Sequence, residues 1–334
     1  MIRFCHGGKV IELPAGELWA SAPPDSVYRD TPAKELLAVV RNIENGTPWR
    51  DAVAQRYGTS NPWLHQIVTS PNRDRFFQLH PPPPGAHILD IGAGWGQISI
   101  PLARRCAVTA LEPTPERMAF IRAAARQEAV TDHMHFVQAD LFDVQLERSF
   151  DMICCIGVLE WVPKFRPGNP LDVQIDFLRR MRALLSPNGQ LLIGIENRFG
   201  LKYLLGAPDD HLGAANVAVY GAPLAASKWR AQAGEELRSF TYTRAELEEM
   251  LPLAGLIIRQ FFAALPDYKL PQQILPLSAM NAFFRDGRYV EEHDGSCGRP
   301  LDNQAELRSH YQSLAKLGIA GDFAPSFYLI ASAA

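Results

Sequence analysis

No apolar run in this chain approaches the roughly 18 residues that a membrane helix requires, so no membrane span is expected. Its start also lacks the unbroken apolar stretch of a signal peptide. MIRFCHGGKVIELP is interrupted by Lys9 and Glu12 and reads as two short alternating strands about the Gly7-Gly8 turn. Excess positive charge is missing too. Lysine and arginine number 33 against 36 aspartates and glutamates, a net charge of −3. That leaves no basic footprint for a phosphate backbone and argues against a nucleic-acid partner. Cysteine is scarce: Cys5, Cys106, Cys154, Cys155 and Cys297 show neither metal-ligand spacing nor a disulfide framework. Cys154 and Cys155, in MICCIGV, read as small buried side chains. His133 and His135 have no third ligand nearby in the chain, so no metal is expected. These absences describe a cytoplasmic, metal-independent protein.

What is present looks like an enzyme-sized globular chain: 334 residues, 47% apolar and 21% charged. Residues 1–80 carry Trp19, Trp49 and Trp63 and a helix, PAKELLAVVRNIENG, that starts at Thr31-Pro32 and stops at Gly46. HPPPPG follows, a stiff extended linker, because proline enters neither a helix interior nor a central strand. Beyond it strands and helices alternate, the pattern of a mostly parallel sheet. Strands are expected at about 87–91, 107–111, 134–138, 151–157 and 190–196, with helices at about 95–104, 115–128 and 172–185. SPNG at 186–189 reads as the turn between the last helix and the fifth strand. TRAELEEMLPLAG is a helix capped by Thr243 with Glu246 three places on. GLIIRQFFAAL is a sixth strand, and PSFYLIASAA a final one.

The stretch ILDIGAGWGQISI, residues 88–100, places glycines directly after a strand. The dinucleotide fingerprint G-x-G-x-x-G/A is met by Gly92 and Gly94 but fails at Gln97; begun at Gly94 it meets Gly96 and fails at Ser99. A phosphate loop is excluded because no Gly-Lys-Ser/Thr follows. Two further acids stand after the next strands. Glu112 ends TALE, 22 positions after Asp90, where a carboxylate accepts ribose hydroxyls. Asp140, in QADLFD, is placed to accept from an adenine amino group, with Leu141 against the ring. A single acid after a strand is ordinarily a helix cap. Three in succession, in register with a glycine turn, indicate an adenosine without phosphates.

Here the chain resembles the class I S-adenosylmethionine-dependent methyltransferases. The resemblance rests on LDIGAGWG, the acid of TALE, QADLFD, FDMICCIGVLEWV and LLSPNGQLLIGIEN, and covers about 86–265 and the last ten residues. It implies an α/β, Rossmann-like sheet of seven strands, mostly parallel, with the C-terminal strand antiparallel and inserted beside the fifth. It also implies that Asp90 and the Gly92 and Gly94 backbone hold the methionine part of S-adenosylmethionine, Glu112 the ribose, and Asp140 with Leu141 the adenine. Ala93, Gln97 and Pro113 complete that set, and Ile156 to Glu160, beginning with Ile156 and Gly157, border the methyl group. Many relatives carry a smaller residue where Trp95 stands; it either covers the cofactor or packs beneath the N-terminal segment.

IENRFGLKYLLGAPDDHLG and LPDYKLP resemble a bacterial methyltransferase subgroup associated with surface-glycan and secondary-metabolite pathways. His211 is the leading general base, oriented by Asp209 or Asp210, because imidazole titrates near neutral pH. Glu196 is a second catalytic candidate: with Asn197 it stands at the strand end itself, better placed than His211. The alternative is that the two only organise the loop. Tyr268 and Lys269 reach in from the segment after strand six. The expected organisation is an N-terminal extension or lid (1–80), a cofactor-binding core (81–265), a cap (266–325) and the last core strand (326–334). The cap carries Phe283, Phe284, Tyr289 and Tyr311, and its alternative use is a homodimer surface. The expected activity is methyl transfer to a small-molecule, glycan or natural-product acceptor, with oxygen favoured. Protein or RNA methylation and a catalytically silent binding module are the alternatives. No NPPY-type motif follows strand four and no Pro-Cys pair occurs, and Gln97 puts an NAD-dependent dehydrogenase last.

Overall fold

Alternation and a two-glycine turn produce the first element pair. β1 (Ile2–His6) and β2 (Lys9–Leu13) are antiparallel, with Ile2 opposite Leu13 and His6 opposite Lys9. Gly7 and Gly8 turn the chain at φ of 54° and 74°, the left-handed pair that a tight hairpin demands. In this computed structural model, residues 1–22, 26–147 and 149–334 are described. The chain divides into two compact units. Met1–Ile156 with Arg180–Leu191 and Ala333 forms the first; Gly157–Arg179 with Leu192–Ser332 and Ala334 forms the second.

In the first unit, β3 (Leu18–Ala20) precedes four helices: α1 (Ala33–Glu44), α2 (Trp49–Tyr57), α3 (Pro62–Thr69) and α4 (Arg75–Leu79). Then come β4 (His87–Ile91), α5 (Ser99–Ala103), β5 (Ala107–Leu111), α6 (Pro115–Gln127), β6 (Met134–Gln138), β7 (Gln145–Leu146) and β8 (Phe150–Ile156). The sheet order is β3-β6-β5-β4-β8-β9, with β4 parallel to both β5 and β8 and β6 parallel to β5 and β3. β7 extends the N-terminal hairpin instead, Phe4 facing Leu146. The strands β4, β5 and β6 are buried nearly end to end, as expected of a sheet covered on both faces.

α7 (Pro170–Ala183) and β9 (Leu185–Glu196) each contribute residues to both units. The second unit continues with α8 (Leu201–Leu204), α9 (Ala222–Ala233), α10 (Arg244–Leu253), β10 (Leu256–Leu265), β11 (Gln273–Pro276), α11 (Met280–Arg285), α12 (Gln304–Leu317) and β12 (Ser326–Ala333). Its strand order is β9-β12-β10-β11. The Ala334 N–H donates to the carbonyl of Gly255, and the Ser326 hydroxyl to that of Ala264, so β12 runs antiparallel to β10. The seven expected strands are all there, and β3 and β11 are additions paired to β6 and β10.

One local expectation is corrected. The helix expected at 95–104 is only Ser99–Ala103, because Gly92, Gly94 and Gly96 hold φ of 65°, 59° and 77°, outside any right-handed helix. SPNG turns as read, within the bounds of β9, which begins at Leu185. A Cβ on Gly189 would lie 2.8 Å from the Ser186 nitrogen, a closeness that three extended residues cannot reach. The Phe150 N–H donates to the Leu184 carbonyl at 2.8 Å and the Ser186 hydroxyl to Asp151 at 3.2 Å, so the turn is held against β8. The capping box at Thr243 and Glu246 forms as read. Among the described residues, no helix is long and apolar enough to cross a membrane.

Candidate functional site

In the first unit the glycine turn is fastened by the strand ends around it. The Gly92 and Ala93 N–H groups donate to the Leu111 carbonyl at 2.8 and 3.1 Å. Glu112, buried at the end of β5, accepts the Gly94 N–H on Oε2 and the Thr114 N–H on Oε1, both at 2.9 Å. Each carboxylate oxygen thus keeps a second lone-pair direction for a further donor. Asp90 is buried and accepts the Ser99 hydroxyl at 2.6 Å. Burial pushes its carboxyl up to about 7, against the opposing pull of that hydrogen bond. Asp140 accepts the Phe142 N–H at 2.9 Å, holding the turn after β6, and Leu141 beside it is buried. Gln97, where a dinucleotide site carries a small residue, accepts the Trp95 N–H at 3.1 Å.

Trp95 belongs to the N-terminal packing. Its indole N–H donates to Asp30 at 2.9 Å, and its ring meets Tyr57 and Phe120 edge-on at 5.8 and 4.9 Å. Asp30 also pairs with the buried Arg117 at 2.8 Å. Sequence reading passed over Arg117, Asp30 and Ser99, because their roles depend on partners distant in the chain or on burial.

The second unit contains a different kind of site, a buried cluster of charge. His211 Nε2 lies 3.5 Å from Glu160 Oε1 and 3.4 Å from Glu196 Oε2, and its Nδ1 lies 3.6 Å from Asp209 Oδ1. Lys269 Nζ sits 2.8 Å from both Glu196 Oε1 and Asp210 Oδ2. Lys202 Nζ is 3.6 Å from Asp210 Oδ1 and donates to the His293 carbonyl at 3.2 Å. His293 Nε2 in turn lies 3.4 Å from Asp267. Short turns aim these groups. Asp209 Oδ1 accepts the N–H groups of His211 and Leu212, and Asp267 Oδ1 those of Lys269 and Leu270, all at 2.8 to 2.9 Å. Two glycines make room: a Cβ on Gly295 would collide with the Asp210 carboxylate, and one on Gly157 would stand 2.6 Å from the Tyr268 hydroxyl oxygen.

The cluster rearranges the acid–base roles expected of its members. Burial alone would depress the His211 pKa, but Glu196, Asp209 and Glu160 outweigh it and hold the imidazole well above its ordinary range. This corrects the expectation that His211 titrates near neutral pH as a free base. Asp210 does not orient it either. It is committed to Lys202 and Lys269, which overcome burial and hold its carboxyl at about 2. Burial would raise Glu196, yet Lys269 and His211 hold it well below the usual carboxylate range. Glu160 goes the other way, raised chiefly by burial. The structure therefore brings Glu196 and His211 together, adds Glu160 from the segment after β8, and gives Asp210 to the lysines. Lys202 and Asp267 lie in the two stretches singled out in the sequence but had no role there, and Glu292 lies outside them.

The fold is the Rossmann-like α/β arrangement expected of the methyltransferase class, mostly parallel with antiparallel strands at one end. Residues 89–191 match the family model for a methyltransferase domain. The ubiquinone biosynthesis O-methyltransferase of Xanthomonas campestris pv. campestris (strain B100) is 32% identical over 116 residues, 34% of this chain and 45% of that protein. The tRNA 5-carboxymethoxyuridine methyltransferase of Escherichia coli (strain K12) is 30% identical over 148 residues, 43% of this chain and 53% of that protein. The matches thus span about half the length of these curated relatives. Among solved structures, the CcbJ methyltransferase of Streptomyces caelestis aligns over 79% of this chain and 89% of its own, at 16% identity and a TM-score of 0.47.

Proposed function

We propose that this chain is an S-adenosylmethionine-dependent methyltransferase acting on a small-molecule, glycan or natural-product acceptor, with oxygen the favoured acceptor atom. The observation that carries the reading is the glycine turn at positive φ, with Asp90, Glu112 and Asp140 at or just beyond the carboxyl ends of three adjacent parallel strands. Ligands of open α/β sheets bind at those ends. The donor set fits the cofactor. Glu112 has one free lone-pair direction on each oxygen, suited to the two hydroxyls of a ribose, and nothing in the turn is arranged for a pyrophosphate.

Asp90, Gly92, Ala93, Gly94 and Gln97 are assigned to the methionine end, Glu112 and Pro113 to the ribose, and Asp140 and Leu141 to the adenine. Ile156 and Gly157, at the carboxyl end of β8, are assigned to the methyl side. S-adenosylmethionine supplies a methyl group already activated by its sulfonium; the chain has to hold and orient the acceptor. Glu196 and His211, with Glu160, are assigned to the acceptor side. Asp210 is a positioning residue there, since it acts through Lys269. Net charge of −3 favours an acceptor other than nucleic acid. All five cysteines are free thiols, which fits a reducing, cytoplasmic compartment.

The test is calorimetric titration with S-adenosylhomocysteine and, separately, NAD. Saturable binding of the first alone is expected, with about 2.7 kcal/mol of added stability at 100 times the dissociation constant. A folded protein that ignores S-adenosylhomocysteine would overturn the reading. A second reading, RNA methylation, rests on the similarity to the tRNA methyltransferase. Labelled methyl groups appearing in a tRNA pool would favour it, whereas label confined to small molecules or glycans supports the first.

A further inference from the structure

We infer that Glu160, Glu196 and His211 form a binding site for one divalent cation of the zinc type. The first argument is a distance. Charged N–H···O contacts close to about 2.7–2.9 Å, yet His211 Nε2 stands 3.5 and 3.4 Å from the two glutamate oxygens. Zinc holds nitrogen and oxygen ligands at about 2.0–2.2 Å. Ligands at two corners of a tetrahedron of that size are about 3.3–3.6 Å apart. The gaps are long for a proton and the right length for an ion between the groups. One ligand atom from each of the three side chains lies within 4.8 Å of the others.

The second argument is an unpaired group. Glu160 is fully buried, at 0% exposure, and its Oε2 has no hydrogen-bond partner. A buried carboxylate oxygen left in that state is costly unless a cation is at hand.

The third is the way the neighbours divide the ligands' atoms. Glu196 gives Oε1 to Lys269 at 2.8 Å and keeps Oε2 toward His211. His211 presents Nε2 to the glutamates, while Nδ1 faces Asp209 at 3.6 Å, and Asp209 is itself pinned by two backbone amides. A carboxylate behind the far nitrogen is how a metal-bound imidazole is oriented. The Trp161 ring, edge-on to the imidazole at 4.9 Å, limits its rotation.

Charge balance agrees. Lys202 and Lys269 are the lysines among six acids, Glu160, Glu196, Asp209, Asp210, Asp267 and Glu292. An ion that displaces the His211 proton leaves two carboxylates and a neutral imidazole, which with its two charges sum to zero. Three protein ligands leave a fourth position open, the arrangement of a zinc site that acts on a ligand rather than only bracing the fold. An ion there would supply Lewis acidity toward an oxygen.

The three ligands are the residues assigned to the acceptor side, so the test uses neither cofactor nor acceptor and its failure is distinguishable from failure of the methyltransferase reading. The full-length protein is treated with a chelator, dialysed and titrated with cobalt(II) chloride alone. One equivalent should bind with the visible absorption of four- or five-coordinate cobalt, and added zinc should abolish the band. Glu160→Gln should weaken cobalt binding at least tenfold in a protein that still unfolds cooperatively. Should Glu160→Gln fail to fold, Asp209→Asn is the second variant, with an expected 10–100-fold loss. No cobalt band in the folded wild-type protein, or wild-type cobalt affinity in whichever folded variant is measured, overturns the site.

Discussion

Backbone makes the candidate site of the first unit, and side chains make that of the second. Around Gly92–Gly96 the chain is shaped by three positive φ angles and by amides bonded to the Leu111 carbonyl and to Glu112. The cluster around His211 instead holds its form through charges contributed from residues 160 to 293, with His211 and Lys269 aimed by the turns at Asp209 and Asp267. A backbone site tolerates few residue types but needs little electrostatic compensation. A charge cluster stands only while every partner is present, because each group removed leaves another buried and uncompensated.

The largest expected effect tests that dependence. Lys269→Met strands Glu196 and Asp210 and should cost about 3–5 kcal/mol, read by urea unfolding at neutral pH. Arg244→Ala, which removes a half-exposed pair with Glu248, should cost about 0.5 kcal/mol or less. Equal losses for the two variants would break the contrast.

In the first unit a buried carboxyl, Asp90, is raised chiefly by burial, against its hydrogen bond from Ser99. Its folded pKa, about 7, lies above the ordinary value of 3.8. Between those values the folded chain binds more protons than the unfolded one, so stability falls as pH rises through the window. Above pH 7 the penalty is complete, at most about 4 kcal/mol. Asp90→Asn keeps a neutral acceptor for Ser99 and should therefore gain stability over the wild type steadily from pH 4 to pH 8. Thermal midpoints that differ by a constant amount across that range would remove the charge from the account.

Two glycine substitutions sharpen the comparison, since they fail for different reasons. Gly295→Ala collides with Asp210 and should cost about 1–3 kcal/mol as overpacking. Gly94→Ala meets nothing closer than 3.6 Å, so its cost of about 1–2 kcal/mol is purely that of the left-handed conformation. Only Gly94→Ala should weaken S-adenosylhomocysteine binding by calorimetry. A smaller effect is expected at Glu128, which accepts from Trp49, Arg50 and Arg104. Burial would raise its carboxyl, but those bonds hold it at about 2. Its contribution, about 1 kcal/mol after solvent screening, is present above pH 4.5 and lost toward pH 2. Glu128→Gln and the wild type should converge in stability over that interval.

The first site was legible in the sequence to the extent that it is local. Asp90, Gly92, Gly94, Glu112 and Asp140 stand at strand ends that hydrophobic runs reveal, and a strand's end is set by its own residues. Trp95 was ambiguous because both destinations for an indole suit the same sequence; Asp30, Tyr57 and Phe120 decided it. At the second site His211 and Glu196 were noticed singly. Neither their meeting with Glu160 nor the diversion of Asp210 to Lys202 and Lys269 is encoded in any spacing.

Sequence by itself determined the alternating elements, the glycine turn, the Thr243 cap and the residue types available for chemistry. Those follow from dihedral preference and from interactions within about four residues. Tertiary structure decided the direction of Trp95, the partners of Asp210, and the opposite pKa shifts of Glu160 and Glu196 beside His211. A pKa depends on distance in space and on exclusion of water, and at His211 both come from residues up to 51 positions away along the chain.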